Sequence, residues 1–151
     1  MLVIENGTVY TPSEVIPNGV VVVDGQKIHS VGKFNHVELP DGAHHINARG
    51  GAIVPGFVDM HMHGVHNYDM MDGKVASLEA MSRILPRYGV AAFVPTTVTA
   101  SLPTIEQALQ AARGARNAGL PGAEMLGAHV EGPYLSAQER GAHRLDLLRE
   151  P

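Results

Sequence analysis

The sequence predicts an α/β chain in two parts, a small antiparallel sheet over residues 1–50 and, over 51–151, the opening β/α units of a parallel barrel. Three observations carry that expectation. β-branched runs joined by Asn-Gly and Asp-Gly fill the first part, and strand and helix patterns alternate after Gly51. The residues that end the predicted strands, His61, Thr97 and Glu131, recur about 35 residues apart, as successive units of a TIM-type (β/α)8 barrel do.

The elements follow in order. Leu2-Val-Ile4 and Thr8-Val-Tyr10 flank Asn6-Gly7, while Val20-Val-Val-Val23 and Lys27-Ile-His-Ser-Val31 flank Asp24-Gly25. Both dipeptides tolerate the positive φ that the favoured hairpin turns require, so two hairpins are expected. The Val20 to Val23 run reads as a buried strand. Residues 53–60 read as the first barrel strand. From Val75 to about Leu85 a helix is expected, with Val75, Leu78, Met81 and Leu85 on one face. Residues 91–98 form the next strand. A second helix runs from about Pro103 to Asn117, with Ser101 as N-cap, Ile105, Leu109 and Ala112 inward, and Gly119 past its end. Residues 123–130 give the third strand.

Composition bounds the function classes. With 151 residues, 44% hydrophobic and 17% charged, and a formal net charge of −4, the chain suits a soluble domain and offers no electrostatic footprint for nucleic acid. There is no Cys, so a metal must be held by imidazole and carboxylate rather than thiolate, and no disulfide framework is expected. Apolar runs fall short of the ~20 residues of a membrane span, and Met1-Leu-Val-Ile-Glu5 enters a strand directly without a secretory leader pattern. The expected location is cytoplasmic, with no membrane partner.

His61-Met62-His63 carries the chemistry. In a strand, side chains two apart share a face, so His-x-His at a strand end aims two imidazoles together. Glu131 closes a second strand-ending run, His129-Val-Glu131-Gly-Pro133, and a carboxylate beside two neutral imidazoles is an ordinary ligand set for zinc or iron. His129, two before Glu131, reads either as a donor supporting a ligand from behind, the preferred reading, or as a satisfied core histidine. Asp59 shares the face of His61 but lies deeper, which favours a structural acid. The remaining histidines read as bland: His44-His45 as solvated loop, His29 and His36 as parts of the small sheet and its connection, His66 as surface. Met60, Met62, Met70, Met71 and Met81 read as packing.

Two of these runs also resemble known sequences. Pro55-Gly-Phe-Val-Asp-Met-His61-Met-His63-Gly64 resembles the opening barrel strand of the amidohydrolase superfamily. His129-Val-Glu131-Gly-Pro133-Tyr-Leu135 with Gly141-Ala142-His143 is similar to N-acetylglucosamine-6-phosphate deacetylases. The resemblance covers nearly the whole chain and the N-terminal part of the family, and it makes residues 1–50 the beginning of a small β-sandwich that flanks the barrel.

The resemblance implies a metal-dependent deacetylase acting on a phosphorylated amino sugar, and a homo-oligomer, dimeric in the family. Glu131 matches the family's metal-binding glutamate, His61 and His63 match a pair that some members use for a second metal, and Ala142 and His143 match substrate-contacting positions. Arg144-Leu145 departs from the Asn-Pro common there. The family's catalytic aspartate, further metal-binding histidines and phosphate-binding arginine are expected beyond Pro151, so no catalytic acid or base is assigned and the 151-residue chain alone is expected to be inactive. The other readings are a metal-dependent hydrolase of cyclic amides and a non-catalytic fragment.

Overall fold

The computed structural model describes residues 1–150. They divide into two compact units, Met1–Pro55 and the chain from Gly56 onward.

The first unit is a five-stranded sheet of β1 (Leu2–Tyr10), β2 (Val15–Asp24), β3 (Lys27–Lys33), β4 (His44–Asn47) and β5 (Ala52–Ile53). Its order is β3-β2-β1-β4, with β5 also on β1. The strands β1, β2 and β3 pair antiparallel, but β4 and β5 join β1 in parallel, so the sheet is mixed where the sequence predicted a purely antiparallel one. The valine run behaves as predicted. Val20 and Val22 pack with Val3 on one face, and Val21 packs with Val9 and Ile16 on the other. A strand covered on both faces has no polar side to alternate with, hence the unbroken run.

Asn6-Gly7 is not a hairpin turn. β1 runs straight through it, with Asn6 at φ 57 and a register shift against β2 between Ile4 and Gly7. The positive φ of Asn6 accompanies a bulge, and the backbone returning from β4 to β5 crosses there. Gly50 N donates to Asn6 O and Thr8 N to Gly51 O, while a Cβ on Gly7 would stand 2.7 Å from Gly51 O. The β2–β3 turn is a true hairpin, centred on Gly25 and Gln26 because Asp24 pairs with Lys27. His44 and His45 lie on β4 rather than in a loop, and His45 Nδ1 sits 2.9 Å from Glu5 Oε1.

In the second unit, β6 (Phe57–Met62), β9 (Val90–Pro95) and β10 (Glu124–Met125) form a parallel sheet of order β10-β9-β6. Between β6 and β9 come the short antiparallel pair β7 (Gly64–Val65) and β8 (Tyr68–Asp69) and then α1 (Val75–Ile84). Between β9 and β10 lies α2 (Leu102–Ala118). Strand, helix, strand, helix, strand is the predicted alternation, and the sheet is open among the described residues. The core between sheet and helices holds Met70, Leu78, Met81, Leu85, Phe93 and Met125. From α2, Ala108, Ala111, Ala112 and Ala115 form a narrow buried stripe.

Three predicted strand boundaries shift, and one residue expected to be buried is exposed. Residues 53–60 are two strands: Ile53 pairs with Val9 in the first sheet and Phe57 with Val90 in the second, with Pro55, which lacks an N–H for a ladder, between them. Residues 91–98 are in strand conformation only to Pro95, after which the Thr96 N–H bonds Met62 O. Of residues 123–130 only Glu124–Met125 are strand, although a bridge between Thr96 and His129 resumes the pairing. Val75, placed on the buried face of α1, is 41% exposed as the first residue of the helix. α2 follows its sequence signals closely, with Ser101 accepting from Thr104 N at 3.3 Å and Gly119 at φ 75 past its end. No helix among the described residues is long and apolar enough to cross a membrane.

Candidate metal centre

The centre lies at the C-terminal ends of β6 and β9 and on the segment after β10. His61 occupies the last turn of the β6 pleat and His63 follows one residue beyond the strand, so their rings meet edge to face at a 5.1 Å centroid distance. Glu131 is brought to them by Thr97. The Thr97 hydroxyl accepts from Glu131 N at 3.0 Å and donates to Glu131 O at 3.2 Å, stitching the segment after β10 to the segment after β9. Both ends therefore arrive on one side of the sheet, as successive parallel strands require.

Donor atoms of His61, His63 and Glu131 all lie within 4.8 Å of one another. Glu131 Oε2 is 3.3 Å from His61 Nε2 and 3.4 Å from His63 Nε2. Donors held about 2.1 Å from one ion stand roughly 3.0–3.4 Å apart at octahedral or tetrahedral angles. The match is chemical as well as metric. His63 Nδ1 lies 3.1 Å from Thr96 O, a carbonyl that only accepts, so Nδ1 carries a proton and in the neutral ring the Nε2 lone pair faces Glu131. Glu131 Oε2 is buried and has no hydrogen-bond partner. A carboxylate oxygen and the Nε2 of a neutral imidazole 3.4 Å apart are spaced to share a cation.

The supporting residues are placed as follows. His129 is exposed, so it is not a core histidine, and its ring lies 5.1 Å from that of His61 at 63°. The Asp59 carboxylate accepts from His61 N at 3.1 Å, which is the structural role its depth suggested. His143, expected against substrate, has a side chain 12% exposed beside Glu131, with Nε2 3.2 Å from Oε1, and Ala142 next to it is exposed. Arg144, where the resembled sequences carry Asn, is engaged by Asp146 through two contacts of 3.1 and 2.5 Å in its own turn; that pairing lowers the Asp146 pKa and raises that of Arg144. His66 is a surface residue bonded to the Tyr88 hydroxyl at 2.7 Å.

Sequence reasoning passed over Thr96, Thr97 and Thr99, which hold His63, Glu131 and His143. The available signal was three buried hydroxyl residues within four positions where an apolar strand ends. A polar cluster without solvent must be bonding something.

Comparison with known proteins places this geometry. No family model matches the chain. It is 36% identical to the N-acetylglucosamine-6-phosphate deacetylase of Bacillus subtilis (strain 168), over 98% of this chain and 38% of that protein. Its fold is similar to the crystal structure of N-acetylglucosamine-6-phosphate deacetylase from Pasteurella multocida, with a TM-score of 0.88 and 28% identity over 98% of this chain and 38% of that one. A variant of the Mycobacterium smegmatis enzyme, solved in complex with N-acetyl-D-glucosamine-6-phosphate, aligns with a TM-score of 0.80 and 29% identity, over 99% of this chain and 37% of that one. The chain thus spans less than two fifths of the length of these relatives. By this homology it belongs to the N-acetylglucosamine-6-phosphate deacetylase family of the amidohydrolase superfamily, whose N-terminal part it matches.

Proposed function

We propose that the polypeptide carrying this chain removes the acetyl group of N-acetylglucosamine 6-phosphate, giving glucosamine 6-phosphate and acetate, and that His61, His63 and Glu131 hold its divalent metal. The observation that carries the reading is the convergence of three donors, one of them a buried carboxylate oxygen without a hydrogen-bond partner, in a chain homologous to such deacetylases. Two imidazoles and a carboxylate suit zinc, with iron the alternative. A divalent ion bound there supplies Lewis-acid activation of water and of an amide carbonyl near neutral pH.

The residues of this chain do the rest of the local work. Thr96 fixes the His63 ring, Thr97 fixes the Glu131 backbone, and the turn carrying Ala142 and His143 lies on the Glu131 side, where an amino sugar would be contacted. The second unit is the opening of a (β/α)8 barrel and the first unit part of its flanking β-sandwich, in a cytoplasmic homo-oligomer. The proton shuttle and the phosphate anchor are assigned to no residue here.

Two measurements test the proposal. Protein expressed with zinc should retain metal by elemental analysis, and a variant with alanine at 61, 63 and 131 should lose it; equal content in both removes the metal assignment. The polypeptide that carries this chain should release acetate from N-acetylglucosamine 6-phosphate far faster than from the unphosphorylated sugar. Ring opening of hydantoin or dihydroorotate, with the amino sugar untouched, would replace the substrate assignment.

A further inference from the structure

We infer that Thr99 is a positioning residue: it locks the His143 imidazole in the Nε2–H tautomer, and His143 then bonds Glu131 Oε1, leaving Oε2 as the oxygen free of hydrogen bonds that faces the metal position. This deepens the metal reading above and rests on it for its consequence, though not for its geometry.

The lock is built from the buried end of the segment after β9. Thr99 is 6% exposed, and its backbone N–H donates to His143 Nδ1 at 3.2 Å. A backbone amide only donates, so Nδ1 must offer a lone pair and cannot carry a proton. The Thr99 hydroxyl stands 2.7 Å from the same nitrogen and reinforces it as a second donor. The ring proton is therefore on Nε2, and Nε2 lies 3.2 Å from Glu131 Oε1, where an N–H meets a carboxylate oxygen. His143 has an 88% buried side chain by its 12% exposure, so this bond is made away from bulk water.

The consequence is an asymmetric carboxylate. One oxygen is capped by His143 and the other, Oε2, is buried and partnerless beside His61 and His63. That difference favours Oε2, the oxygen without a hydrogen bond, as the metal-facing atom. Thr99 itself is wedged in place by the neighbouring turn, because a Cβ on Gly132, at φ 72, would overlap the Thr99 hydroxyl. Arg140 Nη1 holds the His143 carbonyl from the other side at 2.7 Å. The ring is fixed at both of its nitrogens and at its backbone.

The inference concerns neutral imidazole and is read directly by long-range 1H–15N spectra of the metal-free protein, with His143→Gln assigning the signals. Wild type should show one tautomer for His143, with Nε2 protonated and Nδ1 not. A protonated Nδ1 overturns the proposal. Thr99→Val removes the hydroxyl and sets a methyl against Nδ1 but keeps the backbone amide, so the Nε2-protonated tautomer should persist while cobalt(II) binding weakens about 10-fold or more, the usual loss when the support of a ligand is removed. Thr99→Ser keeps the hydroxyl donor and should restore the affinity. Unchanged affinity in Thr99→Val would sink the role of the Thr99 side chain, as would failure of Thr99→Ser to recover it in a folded protein. If wild type binds no cobalt, the metal assignment fails, and the tautomer spectra still decide this inference by themselves.

Discussion

At the scale of single residues, the centre is organised by which atoms are denied a partner and which are given one. Thr96 and Thr97 consume the Nδ1 proton of His63 and the amide of Glu131, so that what remains facing inward is lone pairs. Gly132 is part of the same economy of space. Its φ of 72 lies in the left-handed region, which costs a residue with a Cβ roughly 1–2 kcal/mol, and the added atom would also displace Thr99. Gly132→Ala is therefore expected to lower the melting temperature and to weaken cobalt binding together. Calorimetry and a cobalt titration check this, and a variant that melts and binds as wild type does would show that the turn yields freely.

At the scale of elements, the entry to α1 is held by charge. Asp69 and Asp72 close a capping box around the turn at Met70–Asp72, and the Ser77 hydroxyl donates to Asp72 Oδ2 at 2.7 Å from within the helix. The Ser77 bond and then the Asp69 amide, with a lesser help from the Lys74 charge, keep the Asp72 carboxyl below its ordinary pKa against the opposing effect of desolvation. A depressed folded pKa means stability that is present above the unfolded value and lost as pH falls through the folded one. Ser77→Ala should accordingly cost about 1 kcal/mol at neutral pH, the net worth of one such bond, and the deficit should narrow once both proteins are taken to about pH 3 and below. Urea melts at the two conditions test it. A deficit of the same size at both would mean that Ser77 contributes by packing and not through the carboxylate.

At the scale of the whole molecule, the parallel sheet ends in β6, whose outer edge is unpaired among the described residues. Phe57, Val58 and Met60 on that strand are 65, 55 and 73% exposed. An apolar edge strand is a template for another chain. The 151-residue chain is expected to self-associate in light scattering, and Val58→Lys, which puts a charge on the edge, should shift it toward monomer. A wild-type chain that stays monomeric at concentrations where the variant does would show that the edge is protected in solution.

The sequence by itself determined what depends on short range. The His61-Met62-His63 pair faces one way because a strand alternates, and α2 starts and stops where Ser101 and Gly119 act on their own neighbours. The convergence of Glu131 on that pair was legible through the regular spacing of strand ends, which parallel units impose. Asn6-Gly7 was misjudged because the same positive-φ dipeptide serves a turn or a bulge, and the crossing of Gly50 and Gly51 over β1 decides between them. The parallel addition of β4 and β5, and the division of residues 53–60 between two sheets, likewise rest on partners distant in sequence. His143 is the sharpest case: its residue type says only that it can donate or accept, and the amide of Thr99, 44 positions away, makes Nδ1 an acceptor and so puts the proton on Nε2. Local chemistry fixes what each residue is able to do, while tertiary packing fixes which of its atoms are already spoken for.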